Sequence, residues 1–323
     1  MKPVIIAECC QNHNGSREIL RRMIHLGAEN GADYLKIQSI RSKDVTYRER
    51  FEEGETDKNG IVTIIKRPYQ AEFERLSRLD LTLEEERWFV EECRRAGVLP
   101  LTTVFTRSAV QEVKDMGYPA IKIASYDCAS YPLLQDVRKV WNKIYISTGS
   151  TYDNEIIEAA KVLEGTDFEF LHCVTIYPTP LEELHLSRMD WLRELSGKVG
   201  YSDHSKPAET GLWASKIALA LGASCIERHY TILEPQETRD GPVSIDPSML
   251  KELREFADMS REEQMEIIEK GMPDWRKTLG NPHRALSHAE LLNRDYYRGR
   301  FASRINDKVI YNWEDIEIPI DII

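Results

Sequence analysis

The sequence predicts an α/β protein in which one parallel sheet closes into a (β/α)8 TIM barrel. Eight short apolar segments recur between residues 4 and 229, and most lack strict alternation, as strands buried on both faces do. Segments with the length and periodicity of helices lie between them. Since strand and helix alternate eight times, a closed barrel is favoured over an open sheet.

The predicted strands and helices follow one another in a regular order. The strands lie at 4–8, 34–38, 98–104, 120–125, 144–149, 168–173, 198–203 and 224–229. Helices are predicted between them at 16–32, 82–97, 108–117, 154–165 and 209–222. The helix at 82–97 begins with Thr82 and Glu85, which have the spacing of a capping box, and it ends at Gly97. These signals mark helix ends independently of the hydrophobic pattern.

Two regions depart from this alternation. Residues 41–80 are polar and too long for a simple connection, which is typical of a functional insertion or a mobile lid. Two further helical patterns at 248–259 and 260–270 precede a segment of different composition. We therefore expect a barrel domain over 1–272 and a short irregular C-terminal extension over 273–323.

Composition narrows the class of protein. The formal net charge of -11 argues against a general nucleic-acid binder. No window approaches 18 consecutive apolar residues, and the N-terminus lacks the apolar stretch of a secretory signal, so we expect a cytoplasmic protein without a membrane span. Six cysteines without a C-x-x-C pair predict reduced, mostly buried thiols.

Polar side chains concentrate at the carboxyl ends of the predicted strands, where a TIM barrel carries its active site. Lys36 and Lys122 lie inside apolar strands, and burying an unpaired ammonium group is costly. An anion between the two lysines would offset that cost. Neutral hydrogen-bond donors are available nearby from the hydroxyls of Thr103, Ser125, Ser147 and Ser202. The combination predicts a phosphate or carboxylate site.

Two histidines end neighbouring strands. His204 follows the seventh strand and His229 ends the eighth, so their rings could reach one cation. A lone histidine at a strand end is more often a packing residue, but a pair at adjacent ends favours a metal site. Two nitrogen ligands with open positions suit a divalent ion, for which we expect Mn²⁺, with Mg²⁺ or Co²⁺ as alternatives.

A rival chemistry uses one of the same residues. Lys122 could act as the nucleophile of a Schiff-base aldolase, because barrel aldolases place a lysine on a strand. The histidine pair would be superfluous for that reaction, so this interpretation ranks second. The sequence contains no phosphate-binding G-x-x-x-x-G-K-[ST] loop, no G-x-S-x-G elbow and no H-E-x-x-H motif.

Seven segments, in order along residues 4 to about 250, resemble motifs of the N-acetylneuraminate (sialic acid) synthase family. They are "IAECCQNHNG", "GADYLKIQ", "YPAIKIAS", "ISTGS", "LHCVTIYPTP", "YSDHS" and "IERHYT". The resemblance implies condensation of phosphoenolpyruvate with a sugar aldehyde, giving a 3-deoxy-2-keto sugar acid and phosphate. It also implies a homodimer.

The resemblance assigns roles to individual residues. His204 and His229 would bind the divalent metal. Lys36, Thr103, Lys122, Ser125, Ser147 and Ser202 would hold phosphoenolpyruvate. Glu8, Lys122 and Tyr177 would be catalytic, with Glu8 in acid–base work. Gln38, Asp127 and Tyr177 would contact the sugar.

The departures from the family pattern affect positions that the family uses to bind the sugar. Thr175 stands where the family has Asn, Asp127 where it has Glu, and Val243 where a loop Asp is expected. Only the entry segment of the family's antifreeze-like domain is recognisable. We therefore expect an acceptor other than N-acetylmannosamine, smaller or phosphorylated, with the segment "YYRGR" as a candidate cap over the site. The same departures leave a non-catalytic barrel subunit as an alternative.

Overall fold

The computed structural model describes residues 2–306, 308–311 and 313, and its centre is a closed barrel of eight parallel strands. In chain order the strands are β1 (Val4–Cys10), β2 (Tyr34–Ser39), β3 (Leu99–Val104), β4 (Ile121–Ile123), β5 (Lys143–Ser147), β6 (Asp167–Cys173), β7 (Val199–Asp203) and β8 (Cys225–His229). Each strand pairs with its neighbours in sequence, and β8 closes the barrel on β1. The predicted (β/α)8 barrel is confirmed.

Helices surround the barrel. The longer ones are Arg17–Glu29, Tyr69–Ser77, Leu83–Arg95, Asp153–Leu163, Arg188–Ser196, Trp213–Ala220, Pro247–Ala257, Arg261–Gly271 and His288–Tyr297, and the shorter ones are Arg50–Glu53, Val110–Asp115, Tyr131–Val137 and Pro207–Thr210. The predicted helices are present, most of them shorter than expected, and the helices after β4 and β6 were not predicted from the sequence. No helix of the described residues has both the length and the apolar character needed to cross a bilayer.

Side-chain caps explain where two of the first helices begin. The Ser16 side chain accepts a hydrogen bond from the backbone N–H of Ile19. Thr82 and Glu85 form the reciprocal capping box that their spacing predicts. Both helices direct apolar side chains towards the strands, where they join the apolar layer between sheet and helices. These side chains are Leu20, Met23, Trp88 and Phe89.

Inside the barrel, the side chains form layers because alternate residues of each strand point inward. The lower layer is an apolar plug whose described members are Ile6, Tyr34, Leu101, Ala120, Tyr145, Leu171 and Cys225. Two residues further along each strand, the next layer contains Glu8, Lys36, Thr103, Lys122, Ser147, Cys173 and Glu227. The interior therefore changes from apolar to polar and charged towards the carboxyl ends.

Two segments cover the mouth of the barrel. The insertion after β2 contains a two-stranded hairpin, Glu55–Thr56 with Val62–Ile64. It packs against the extension, because Thr46 N donates to Arg300 O at 2.9 Å and Arg48 Nη2 donates to Tyr296 O at 2.8 Å. The two segments that interrupted the sequence pattern thus form one cover.

The extension is more regular than its composition predicts. It contains the helix His288–Tyr297 and an antiparallel pair, Ala302–Ile305 with Lys308–Tyr311. Trp275 packs into the main apolar core, which joins the start of the extension to the barrel. Of the extension predicted over 273–323, residues 307, 312 and 314–323 lie outside the described residues. The boundary at 272 stays a prediction.

Candidate active site

A cavity of about 450 Å³ opens at the carboxyl ends of the strands. All of the residues that the sequence predicted for the site line it: Glu8, Lys36, Gln38, Thr103, Lys122, Ser125, Asp127, Ser147, Tyr177, Ser202, His204 and His229. They come from every strand or from the loop that follows it. The barrel therefore brings the predicted site residues to one place.

Two other histidines near strand ends do not line this cavity. Nε2 of His172 lies 2.7 Å from the Leu184 carbonyl oxygen, and Nδ1 of His13 accepts from the Gly15 N–H at 3.1 Å. Burial lowers the pKa of His172 to about 3 and that of His13 to about 4. Both rings are therefore neutral packing residues, as a lone strand-end histidine usually is.

Lysines and carboxylates form a buried network at the bottom of the cavity. Lys36 Nζ contacts Glu8 Oε2 and donates to Thr103 Oγ1 at 3.1 Å. Lys122 Nζ donates to Ser147 Oγ at 2.6 Å and to the Ile123 carbonyl at 3.2 Å. Each lysine is thus held by a neutral oxygen acceptor and by opposite charge, which offsets the cost of burial.

Glu227 is the residue that sequence reasoning missed. Its Oε2 lies 3.9 Å from Lys36 Nζ and 3.6 Å from Lys122 Nζ, and Ser202 donates to its Oε1 at 3.0 Å. Burial opposes its ionisation, but Lys122 and Lys36 hold the pKa of Glu227 below its usual range. The anion that the two lysines require is therefore partly supplied by the protein itself.

The histidine pair lies above this network. The rings of His204 and His229 have centroids 5.4 Å apart. His204 Nδ1 lies 3.0 Å from the Val174 carbonyl oxygen. When Nδ1 carries the proton and donates it to this carbonyl, Nε2 carries the lone pair that can bind a cation. Burial lowers the pKa of His204 to about 3, so the ring is neutral and able to bind a cation.

Two further donors stand beside His229. Cys10, Asp240 and His229 offer a sulfur, a carboxylate oxygen and a ring nitrogen that all lie within 4.8 Å of one another. Nδ1 of His229 is buried and has no hydrogen-bond partner among the described residues. A ring nitrogen together with a thiol and a carboxylate fits a divalent cation, so the donor set agrees with the predicted metal site.

The upper part of the cavity carries aromatic and amide groups. Tyr177 stacks at 4.1 Å from His204 between ring centroids, and Tyr126 stacks on Tyr297 of the extension at 4.5 Å. Burial raises the pKa of Asp127 to about 7, although Trp313 and Arg300 oppose the rise. Asn293 also lines the cavity, and its Nδ2 donates to the Thr175 carbonyl at 3.2 Å. Thus an amide enters from the extension next to the position where the family has Asn.

Arginines surround the opening. Arg67, Arg75, Arg239, Arg298 and Arg300 all line the cavity. Three of them meet at the buried carboxylate of Glu72: Arg75 with both oxygens at 3.0 and 3.1 Å, Arg300 at 2.5 Å and Arg239 at 4.0 Å. Arg300 is 8% exposed, and its Nε has no hydrogen-bond partner within the described chain. Asp240 also interacts with Arg239 and Asp127 with Arg300, but the five arginines outnumber these three carboxyl groups, which leaves an excess of positive charge.

Comparison with known proteins identifies the family of this chain. The sequence profile of the NeuB family matches residues 23–267, which is most of this chain. The chain belongs to the NeuB family. It is 32% identical to the N,N'-diacetyllegionaminic acid synthase of Campylobacter jejuni over 78% of this chain and 74% of that protein. It is 28% identical to the human N-acetylneuraminate-9-phosphate synthase over 77% and 67%, respectively. The resemblance seen in the sequence motifs is therefore confirmed.

A solved structure extends this NeuB-family similarity to the fold. The N-acetylneuraminic acid (sialic acid) synthetase of Leptospira borgpetersenii, solved in complex with citrate, superposes with a TM-score of 0.69 at 26% identity. The match covers 86% of this chain and 93% of that one. The barrel thus has the fold of a protein that is named as a sialic acid synthetase.

Proposed function

We propose that this NeuB-family protein condenses phosphoenolpyruvate with a sugar aldehyde, giving a 3-deoxy-2-keto sugar acid and inorganic phosphate. The observation that carries the proposal is the convergence of two buried lysines, four hydroxyl side chains and two histidines on one cavity. A non-catalytic barrel would gain nothing from burying so many charges. The reaction class also agrees with the names of the relatives. A cytoplasmic location and a dimeric state stay predictions.

The proposed reaction consumes one water molecule and balances without a redox partner. Carbon 3 of phosphoenolpyruvate attacks the aldehyde carbon, and the aldehyde oxygen takes a proton to become a hydroxyl. Water adds at carbon 2, and the resulting tetrahedral centre releases phosphate by breaking its C–O bond, which leaves the keto group. The predicted divalent cation, bound by His204 and His229, would polarise the aldehyde oxygen as a Lewis acid.

Glu8 is our candidate for the proton transfer. Its Oε1 accepts from the Cys10 backbone N–H at 2.6 Å, and its Oε2 contacts Lys36. These two contacts fix the carboxyl group between the lysine network and the side of the cavity that holds His229, its register partner on β8. We assign Glu8 the proton that moves between the substrate and the protein, and Lys36 the charge that compensates it.

A direct assay tests the proposal against the Schiff-base alternative. Phosphate release should require phosphoenolpyruvate, an aldehyde and a divalent cation together. Borohydride added in the presence of pyruvate should leave Lys122 unmodified by mass spectrometry. Trapping of pyruvate on Lys122, with no phosphate released from any phosphoenolpyruvate and aldose mixture, would establish the aldolase instead.

Removing one strand lysine should weaken phosphoenolpyruvate binding. Lys36→Met and Lys122→Met each delete one charge-assisted contact and keep the apolar stem. Each should cost about 1.5–3 kcal/mol of binding free energy, roughly one to two decades in Kd by calorimetry. Lys143→Met is the matched control, because Lys143 pairs with Asp167 and Glu169 at the opposite end of the barrel. Unchanged affinity in both cavity variants would refute the assignment.

The arginines at the opening of the cavity suggest which chemical group the acceptor sugar carries. Because three guanidinium groups share one carboxylate at Glu72, this side of the cavity favours an anion. Two of the three come from segments that the sequence marked as irregular, the insertion and the "YYRGR" part of the extension. We propose that the acceptor is an aldose that carries an anionic substituent, such as a phosphate, far from its aldehyde carbon.

Acceptor choice is measurable as kcat/KM across aldoses at saturating phosphoenolpyruvate. We expect an aldose phosphate to exceed its unphosphorylated form by about tenfold or more, since one charge-assisted contact provides about that factor. An aldonic semialdehyde would test a carboxylate in place of the phosphate. Arg239→Gln should remove the preference and leave the neutral aldose nearly unaffected. If N-acetylmannosamine were best by tenfold, the arginines would have another role.

A further inference from the structure

The structure points to a third and a fourth protein ligand in the cation site. We propose that Cys10 and Asp240 bind the divalent ion together with His229, and that the Cys10 thiolate makes the site selective for Zn²⁺, Fe²⁺ or Co²⁺ over Mn²⁺ and Mg²⁺. This inference rests on the proposed function for the presence of a cation. It departs from the Mn²⁺ that the histidine pair alone favours.

The three donor atoms are already gathered. Cys10 Sγ donates to Asp240 Oδ2 at 3.0 Å, and one ring nitrogen of His229 lies within 4.8 Å of both. In this arrangement the thiol proton occupies the space between donors where a cation would sit. Cation binding would release that proton to solvent and replace it with a metal–sulfur bond, with the donor side chains closing around the ion.

The backbone at Cys10 supports a functional role. Its φ is 47°, in the left-handed region that a side chain other than Gly, Asn or Asp rarely adopts. The pairing of β1 with β2 also shifts register between Glu8 and Cys10, which marks a bulge at the end of the strand. Such unfavourable conformations persist where the surrounding structure needs them. Here the bulge lets Glu8 and Cys10 both face the cavity, which both residues line.

The donor types decide the class of ion. A thiolate is a soft ligand, and thiolate with imidazole favours Zn²⁺, Fe²⁺ or Co²⁺, whereas sites for Mg²⁺ and Mn²⁺ are built mainly from oxygen ligands. The ring nitrogen of His204 that faces away from the Val174 carbonyl can complete the set. Its ring lies 5.4 Å from that of His229 between centroids.

Cobalt titration of the metal-free full-length protein tests the proposal without substrate. Wild-type protein loaded with Co²⁺ should show a thiolate-to-cobalt charge-transfer absorption in the near-ultraviolet. Cys10→Ser should lose that band, and its affinity for Zn²⁺ by competition should fall by about tenfold or more, by analogy with the loss caused by weaker contacts around metal ligands. Its affinity for Mn²⁺ should change less, so the Zn²⁺-to-Mn²⁺ ratio should fall.

Two further variants separate binding from folding. Cys9→Ser is the matched control, because Cys9 is the adjacent buried thiol, its Sγ lies 4.0 Å from the Ala7 carbonyl oxygen and it does not line the cavity. It should keep the charge-transfer band. Cys10→Gly suits the positive φ, so the metal-free variant should melt no lower than wild type and still lose the band. A purely structural role for Cys10 would not give that combination.

The outcomes distinguish this inference from the proposed function. A charge-transfer band that persists in Cys10→Ser and Cys10→Gly, or an unchanged preference between Zn²⁺ and Mn²⁺, would overturn the thiolate ligand, whatever the enzyme does with substrates. Conversely, loss of the band in both variants would support it even if no aldehyde released phosphate. Turnover assays with each ion would then test only the proposed function and not the ligand assignment.

Discussion

His204→Ala is expected to lower turnover by about three orders of magnitude while the barrel stays folded. A cation that polarises the aldehyde contributes several kcal/mol to the transition state, and each 1.36 kcal/mol is a factor of ten in rate. Because His204 Nδ1 is fixed by the Val174 carbonyl, the ring is held in one orientation, and the variant loses the nitrogen ligand that the ring offers. Phosphate release and the metal content of the purified variant measure the effect.

The matched control for this prediction is His25→Ala. His25 lies on the outer helix Arg17–Glu29 and pairs with Glu92 at 2.9 Å, away from the cavity. It should keep wild-type turnover and metal content. The assignment of His204 fails if His204→Ala retains full activity that a chelator does not reduce.

Arg228→Met is expected to lower the free energy of unfolding by about 3–5 kcal/mol, the cost of breaking a buried ion pair. Arg228 Nη1 lies 2.5 Å from Asp203 Oδ1, and both side chains are completely buried between β7 and β8. Removing the guanidinium leaves the buried Asp203 carboxylate without its cationic partner, although neutral donors such as the Ser205 N–H and the Ser215 hydroxyl remain. Urea unfolding monitored by circular dichroism measures the loss.

An exposed ion pair provides the control. Lys206 Nζ and Glu209 Oε1 are 2.6 Å apart with side chains 36% and 63% exposed, so Lys206→Met should cost less than about 1 kcal/mol. A loss as small as this in Arg228→Met would mean that the buried pair is not a principal support of β7 and β8. Asp203 directly precedes His204 and Arg228 directly precedes His229. Arg228→Met should therefore also weaken cation binding.

The strand-end residues were predictable because a barrel strand has only two faces. Alternation along each strand directs every second side chain into the barrel, so a residue two positions beyond a member of the lower layer faces the cavity. This rule accounts for Lys36, Lys122 and Ser147, and for Ser202 at the corresponding position of β7. Glu227 obeys the same rule, two residues before His229 and two after Cys225. Extending the alternation along β8 would have found it.

The cover over the mouth was not predictable. The insertion and the extension meet through residues that are 248 and 254 positions apart in the chain, since Arg48 bonds to Tyr296 and Thr46 to Arg300. Hydrophobic periodicity reports which face of an element is buried and carries no information about where a polar loop docks. The arginine cluster around Glu72 follows from that docking.

By itself, the sequence determined the barrel, the order of its strands and the residues at their carboxyl ends, because periodicity and short-range spacing set local structure and the βα alternation permits few topologies. Only the tertiary structure decided that Cys10 and Asp240, 230 residues apart, share a site with His229. Barrel closure places β1 beside β8, and the bulge at Cys10 turns its thiol inward. This proximity arises where the first and the last strand of the barrel pair, and no local sequence pattern encodes it.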